Sequence, residues 1–591
     1  MAAARGSAST NQPARKGASA PSDAVAKSAA RLDTGHLDDV VTHLSAHSSI
    51  WAATSASARA VLLDRLIHDT MTAASGWLSD ACKAKGLHPN SPEAGEELFA
   101  GIGTLVRIAR LLRDSITDIE QFGRPRYPGP VLAHDDRLAV TVFPVSTYDR
   151  ILFAKTTAEV WMQPGVTREE IDSRQAWAYR DPQRAKGVSL VLAAGNVASL
   201  GPRDVLHKLF VEGKVVVLKS NPVNAYLIPH WTRALRCLID AGVLRIVDGG
   251  ADVGEYLTRH PDVDEIHITG SDKTYDAIVF GAGADGVRRK AANDPIVTKP
   301  VTAELGNVSP VIVVPGNWSN SDLVYQAEHV ATMLANNAGF NCLSARVIIT
   351  MAGWRQRETF FSALAEALSR VPTRRAYYPG ALQRRETFIS EHPDPVEIGR
   401  ASDDTAPWTL IRDVDAGNPD DICFNVEAFC GLFAETALAQ DSIPSFIDAA
   451  VEFCNNTLWG TLSATVIVDP HTRQDPAVAA AVRRCVANLN YGGIGLNIWH
   501  GLVFALGTTT WGAYPGHPAT DIQSGSGVVG NAYMFAQPQK SVVTAPFRSR
   551  PKPPWFATNQ SQLAVMKRLL AFEAKPSLAR LPGILRAALK Q

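Results

Sequence analysis

"GVSLVLAAGNVASLGPRDVLHKLFVEGKVVVLKSN", Gly187 to Asn221, decides the fold. A run rich in Val and Leu meets a loop of small residues, then a helical stretch, "PRDVLHKLFVEG", then a second apolar run, "KVVVLKSN". Strand, helix and strand in that order form a crossover unit, which implies a parallel sheet with its ligand site at the strand C-termini. Two polar residues stand at those ends. Asn196 follows the first run and has a side-chain amide able to donate to an oxyanion. Lys219 closes the second, placed for a ribose hydroxyl or a phosphate.

The alternation continues on both sides of a break at Glu304. Before it come the helix "PHWTRALRCLIDAG", the short strand "LRIVDG", another helix and the strand "VDEIHITGS". After it come the strands "SPVIVVPG", "SARVIIT" and "SATVIVDP", with helices such as "WRQRETFFSALAEALSRV". Upstream, Leu37 to Thr117 has helical spacing, and "RLAVTVFPVSTYDRILF" and "TAEVWMQPG" read as extended. "SQLAVMKRLLAFEAK" and "SLARLPGILRAALK" predict terminal helices that are basic and amphipathic; packing on their own domain is favoured over a membrane surface. "AIVFGAGADG" has GxGxxG spacing at Gly281, Gly283 and Gly286, but the short basic run after it ends in proline, so it reads as a surface loop.

Composition limits the functional classes. Lys+Arg and Asp+Glu are both 58, so no net field favours nucleic acid. No apolar run reaches the roughly 18 residues of a membrane span, and the start lacks an apolar signal core. Seven scattered cysteines imply reduced thiols and a cytoplasmic protein, and no His/Cys spacing suggests a metal. Residues 1–35, rich in Ala, Ser, Gly and Pro, are expected to be disordered.

"NNAGFNCLSARVII", Asn336 to Ile349, sets Cys342 in a turn of amides and glycine before an apolar strand. A free cysteine is usually a small buried hydrophobe; a reactive one needs an accessible thiolate. Glu304, in "VTAELGNVSPVIVV", is either a satisfied structural acid or a general base. Ser271 opens a helix after "HITG", and free N–H groups there suit a pyrophosphate. "NVEAFCGLF" adds Glu427 and Phe429.

Together and in this order, these segments resemble the NAD(P)-dependent aldehyde dehydrogenase superfamily, over roughly residues 137–547. Lys219 follows Asn196 by 23 residues, the family's spacing between oxyanion asparagine and ribose lysine. "ITGS" resembles FTGS, "ELGNVSP" resembles ELGGKSP, "GFNC" resembles GQxC and "EAFCG" resembles ExFGP. The resemblance implies Cys342 as nucleophile, Glu304 as base and Asn196 as oxyanion donor. It places Lys219, Gly270, Ser271, Gly306, Glu427 and Phe429 on the cofactor, NAD or NADP with NAD slightly favoured. It implies two parallel-sheet α/β domains and a small β oligomerisation arm.

The expected division is 36–135 with 180–303 for cofactor, 304–498 for catalysis, 136–179 with 499–550 for the arm and substrate funnel, and 551–591 as a C-terminal extension. A homodimer or homotetramer follows by analogy. Trp499, Phe504 and Trp511 suggest an apolar aldehyde. The expected reaction is oxidation to the acid through a cysteine thiohemiacetal and a thioester. Alternatives are a CoA-acylating dehydrogenase or acyl-CoA reductase on the same fold, and a catalytically silent homologue. The chain departs from the family pattern at Phe340, Asn307, Val308, Val205 and Pro222. Pro222 removes a carboxylate that would oppose a 2′-phosphate.

Overall fold

The computed structural model describes residues 32–590. The segment expected to be disordered lies almost wholly outside this range; a helix already begins at Thr34.

The crossover at Gly187–Asn221 builds a six-stranded sheet. Its order is Gly525–Ser526, Val301–Glu304, Glu265–Thr269, Val188–Leu192, Val215–Lys219 and Leu244–Val247. All neighbours are parallel except the first pair. Every residue of Val215–Lys219 is buried, as expected for a strand covered on both faces. After the first strand the chain builds outward to Leu244–Val247, then returns to the opposite side with Glu265–Thr269. The strand order therefore reverses beside Val188–Leu192, and the crevice at that reversal is where such sheets hold ligands.

Beyond Glu304 the chain enters an eleven-stranded sheet. Its parallel centre is Gly493–Leu496, Ser463–Ile467, Ser309–Val313, Ala345–Met351, Leu432–Leu438 and Trp408–Ile411. The strands Val131–His134, Arg137–Phe143 and Thr157–Met162 join this sheet through Pro538–Thr544. Pro538–Thr544 pairs in parallel with Gly493–Leu496, so one chain makes the whole sheet.

Two local expectations are corrected. Within "PVSTYDRILF", Thr147–Leu152 is helical, because Ser146 and Asp149 form a reciprocal cap at its start. The glycine-rich stretch is not a loop after a strand: it joins the helices Asp272–Val279 and Gly283–Ala291. Gly281 turns the chain at φ +98°, and a Cβ at Gly286 would lie 1.9 Å from the Gly281 carbonyl oxygen.

The C-terminal helix Gln562–Ala574 packs on the body. Its Glu573 pairs with Arg107 at 2.7 Å and also with Arg110, all three side chains largely buried. Among the described residues, no helix is long and apolar enough to cross a membrane.

Candidate active site

A cleft of about 890 Å³ opens at the strand reversal and runs between the two sheets. Asn196, Lys219, Gly270, Ser271, Glu304, Gly306, Cys342, Glu427 and Phe429 all line it, so the structure brings together every residue expected at the catalytic centre or on the cofactor. Trp499, Phe504 and Trp511, expected at a substrate funnel, are buried and are not among the residues lining this cleft.

At the inner end the Cys342 thiol donates to Glu304 Oε1 at 3.4 Å. Of the seven cysteines, six are buried and Cys342 alone is partly exposed. Burial, and then the Glu304 and Glu427 carboxylates, push its thiol well above the ordinary value, so the resting group is a neutral thiol. Its own peptide N–H lies beside the sulphur and acts in the opposite sense. Burial lifts the Glu304 carboxyl above its usual range, opposed by Trp511, the thiol and Arg203. Glu304 Oε2 is buried and has no protein partner.

The loop carrying Cys342 is strained and heavily braced. Asn337 and Ala338 have left-handed φ values of 52° and 56°. Such backbone persists only where its surroundings hold it. Arg346 donates to the carbonyls of Gly339 at 2.6 Å and Cys430 at 2.7 Å. Trp499 and His500 donate to the Leu343 carbonyl at 3.2 and 2.7 Å, pinning the peptide after the cysteine. The Asn196 amide donates to the Phe340 carbonyl at 2.9 Å, which ties the loop to the cofactor-side sheet.

Beneath the loop lies a buried ionic network that the sequence did not reveal. Lys85 Nζ donates to Glu97 Oε1 at 2.5 Å, to Asn337 Oδ1 at 2.9 Å and to the Asn196 carbonyl at 3.1 Å. The Asn337 peptide N–H donates to Glu96 at 2.9 Å, and Arg374 grips the same carboxylate at 2.9 Å. Tyr377 donates to the Asn196 carbonyl and to Asn337 Oδ1, both at 3.0 Å. These residues come from four separated stretches, so no local spacing marks them.

Farther out, Glu427 sits against the turn after Glu304. A Cβ at Gly306 would lie 2.1 Å from Glu427 Oε2. Burial raises the Glu427 carboxyl to about 7, against the pull of Arg346. Lys219 is lowered by burial, while Asp248 and Asp252 oppose that shift. Ser271 caps the helix Asp272–Val279 by accepting the Thr274 N–H at 3.2 Å. Away from the cleft, folding gathers His392, Asp421 and Cys423, a set the sequence spacing did not suggest; Asp421 is already paired with His392 at 3.1 Å.

A cysteine beside a carboxylate, at the mouth of a dinucleotide-type sheet, is an arrangement able to carry covalent catalysis. The aldehyde dehydrogenase family profile matches residues 150–383. Aldehyde dehydrogenase LUC3 of Fusarium sp. is 26% identical over 155 residues, covering 26% of this chain and 30% of that protein. The match thus spans under a third of that relative. An indole-3-acetaldehyde dehydrogenase structure complexed with NAD+ superposes with a TM-score of 0.58 at 17% identity, covering 87% of this chain and 89% of the other. An NADP-dependent glyceraldehyde-3-phosphate dehydrogenase from Bacillus halodurans, complexed with NADP, gives 0.57 at 16% identity, covering 86% and 91%. The chain is thus similar in sequence to the aldehyde dehydrogenase family over residues 150–383 and shares the fold of solved aldehyde dehydrogenases.

Proposed function

We propose that the protein oxidises an aldehyde to a carboxylic acid with NAD or NADP, Cys342 being the nucleophile and Glu304 the base. The observation that carries this reading is the 3.4 Å contact between the Cys342 thiol and Glu304, at the inner end of the cleft.

The cleft fits a nicotinamide dinucleotide. Glu427 Oε1 is buried, lines the cleft and has no protein partner, which suits a ribose hydroxyl donor. Lys219 stands at a strand end, where its ammonium would serve the second ribose. When bound, the cofactor supplies a hydride acceptor.

The chain's own residues perform the remaining steps. Glu304 takes the thiol proton, and the thiolate forms a bond to the aldehyde carbon. The Cys342 peptide N–H and the second hydrogen of the Asn196 amide would serve as donors to the oxygen that becomes charged. Once the carbon is oxidised, the acyl group is a thioester on Cys342. After the thiol proton has left Glu304 for solvent, the carboxylate takes a proton from water as the water oxygen attacks, the C–S bond breaks to give back the Cys342 thiolate, and the acid leaves.

The test is a panel of aldehydes assayed with NAD and with NADP by absorbance of the reduced cofactor, with Cys342→Ala as control. Sustained turnover without CoA, lost in the variant, supports the reading. A single-turnover burst that resumes only when CoA is added would sink hydrolysis and favour an acylating enzyme.

A further inference from the structure

Just upstream of Glu427 in the chain, three metal-binding side chains of different chemistry converge. His392 ends the helix Ala381–Glu391, its N–H held by the Phe388 carbonyl at 3.0 Å. Asp421 begins the short helix Ile422–Asn425 and accepts the Cys423 N–H at 2.9 Å. Asn425 Nδ2 ties the same turn to the carbonyls of Pro419 at 2.7 Å and Asp421 at 3.0 Å. These bonds fix the ligand positions in advance, the preorganisation that a metal site needs.

His392 Nε2 stands 3.1 Å from Asp421 Oδ1, and one ligand atom from each of His392, Asp421 and Cys423 lies within 4.8 Å of the other two. Ligands bound to one ion at about 2.0–2.3 Å in a tetrahedron are about 3.3–3.8 Å apart, so small side-chain rotations close the set. Cys423 is buried in the same apolar cluster as Phe388 and Phe424, whereas His392 keeps 22% of its side chain exposed. The cluster is therefore closed at the sulphur and reached from solvent at the imidazole. His392 and Asp421 make a satisfied pair without any cysteine. Burial, and then Asp421, push the Cys423 thiol up, so with no cation there it stays protonated. A cation reverses that balance, because its charge offsets both the carboxylate and the loss of water.

We propose that His392, Asp421 and Cys423 bind a divalent transition cation of the Zn2+ class, the ion that imidazole nitrogen, carboxylate oxygen and thiolate sulphur together favour. His392 Nε2, Asp421 Oδ2 and Cys423 Sγ supply three positions. The Cys423 N–H keeps Oδ1, so the cap at the helix start survives binding. Water fills the fourth position, or Glu391, an exposed neighbour of His392 whose charge reaches Cys423. Binding requires one proton to leave. Cys423 gives its thiol proton to solvent as the sulphur–metal bond forms, and His392 carries its own proton on Nδ1 once Nε2 turns to the ion, so the imidazole stays neutral. The ion joins the end of one helix to the start of the next. Just beyond it, Asn425, Val426 and Glu427 line the cofactor cleft, so the ion pins that wall and touches no reacting atom.

The experiment uses the full-length protein carrying Cys342→Ala, which removes the partly exposed thiol as a competing ligand. After treatment with a chelator and desalting, it is titrated with Co2+ in the absence of oxygen. One Co2+ per chain is expected, with a sulphur-to-cobalt charge-transfer band in the near ultraviolet that Zn2+ abolishes by displacement. Adding Cys423→Ser should remove the band, and adding His392→Gln or Asp421→Asn should weaken binding about tenfold or more. Asparagine caps a helix about as well as aspartate, so Asp421→Asn keeps the turn. Zn2+ should also raise the melting temperature of the Cys342→Ala protein, since an ion that binds only the folded chain stabilises it, and should leave the Cys423→Ser protein unmoved. Absence of the band, or a band that survives Cys423→Ser, overturns the proposal. An affinity unchanged by both His392→Gln and Asp421→Asn overturns it as well. If Cys423→Ser fails to fold, Cys423→Ala, which keeps an apolar group in the cluster, takes its place.

Discussion

Gly306 and Glu427 touch so closely that a Cβ on residue 306 would stand 2.1 Å from Glu427 Oε2. The glycine is therefore a spatial requirement of the cleft, since any larger side chain must drive the carboxylate outward. Gly306→Ala should weaken NAD binding at least tenfold, read by titration of intrinsic fluorescence, with thermal stability nearly unchanged. Wild-type affinity would mean that Glu427 does not touch the cofactor.

Glu304 and Cys342 influence each other's ionisation. The carboxylate raises the thiol's pKa both by its charge and by accepting the S–H bond. Glu304→Gln should move the pH profile of iodoacetamide labelling at Cys342 to lower pH, so that labelling at neutral pH is faster. Because the other six cysteines are buried, labelling should reach one thiol per chain before unfolding. An unshifted profile would show that the 3.4 Å contact does not persist in solution.

The buried Glu304 also couples folding to pH. Its folded-state pKa lies above the unfolded value, so the folded protein holds this proton more tightly. The resulting stability is fully present below the unfolded pKa and is lost as pH rises through the folded one. Glutamine does not titrate. The melting temperature of Glu304→Gln relative to wild type should therefore rise between pH 5 and pH 8. A constant difference would place the carboxyl in a more solvated setting.

Lys85 and Glu97 are a nearly sealed ion pair, at 5% and 6% exposure. Removing one partner leaves an uncompensated buried charge. Lys85→Met should lower unfolding free energy by about 3–5 kcal/mol in urea titrations. Lys85→Met combined with Glu97→Gln should recover at least half of that. The single variant should also lower kcat more than it raises KM, because Lys85 holds Asn337 and the Asn196 carbonyl. A loss confined to stability would make the network structural only.

Local sequence determined a good deal of this protein. Val215–Lys219 and Ser463–Ile467 read as strands because β-branched and apolar residues predominate in them, and the helices between them follow from spacing. Asn196, Lys219, Ser271 and Glu304 were legible because the ends of parallel strands and the starts of the next helices are where such sheets place chemistry. Thr147–Leu152 was missed because its helix depends on a two-residue cap inside a β-rich stretch. Only the tertiary structure brought Cys342 within 3.4 Å of Glu304, joined Lys85 to Asn337, and aligned Asp204 with His267 and Thr302. Those contacts join residues from 35 to 252 positions apart, and one polar residue on a helix face reads the same whether it meets water or a partner. Periodicity reports which face is buried; the packing of distant elements decides what that face meets.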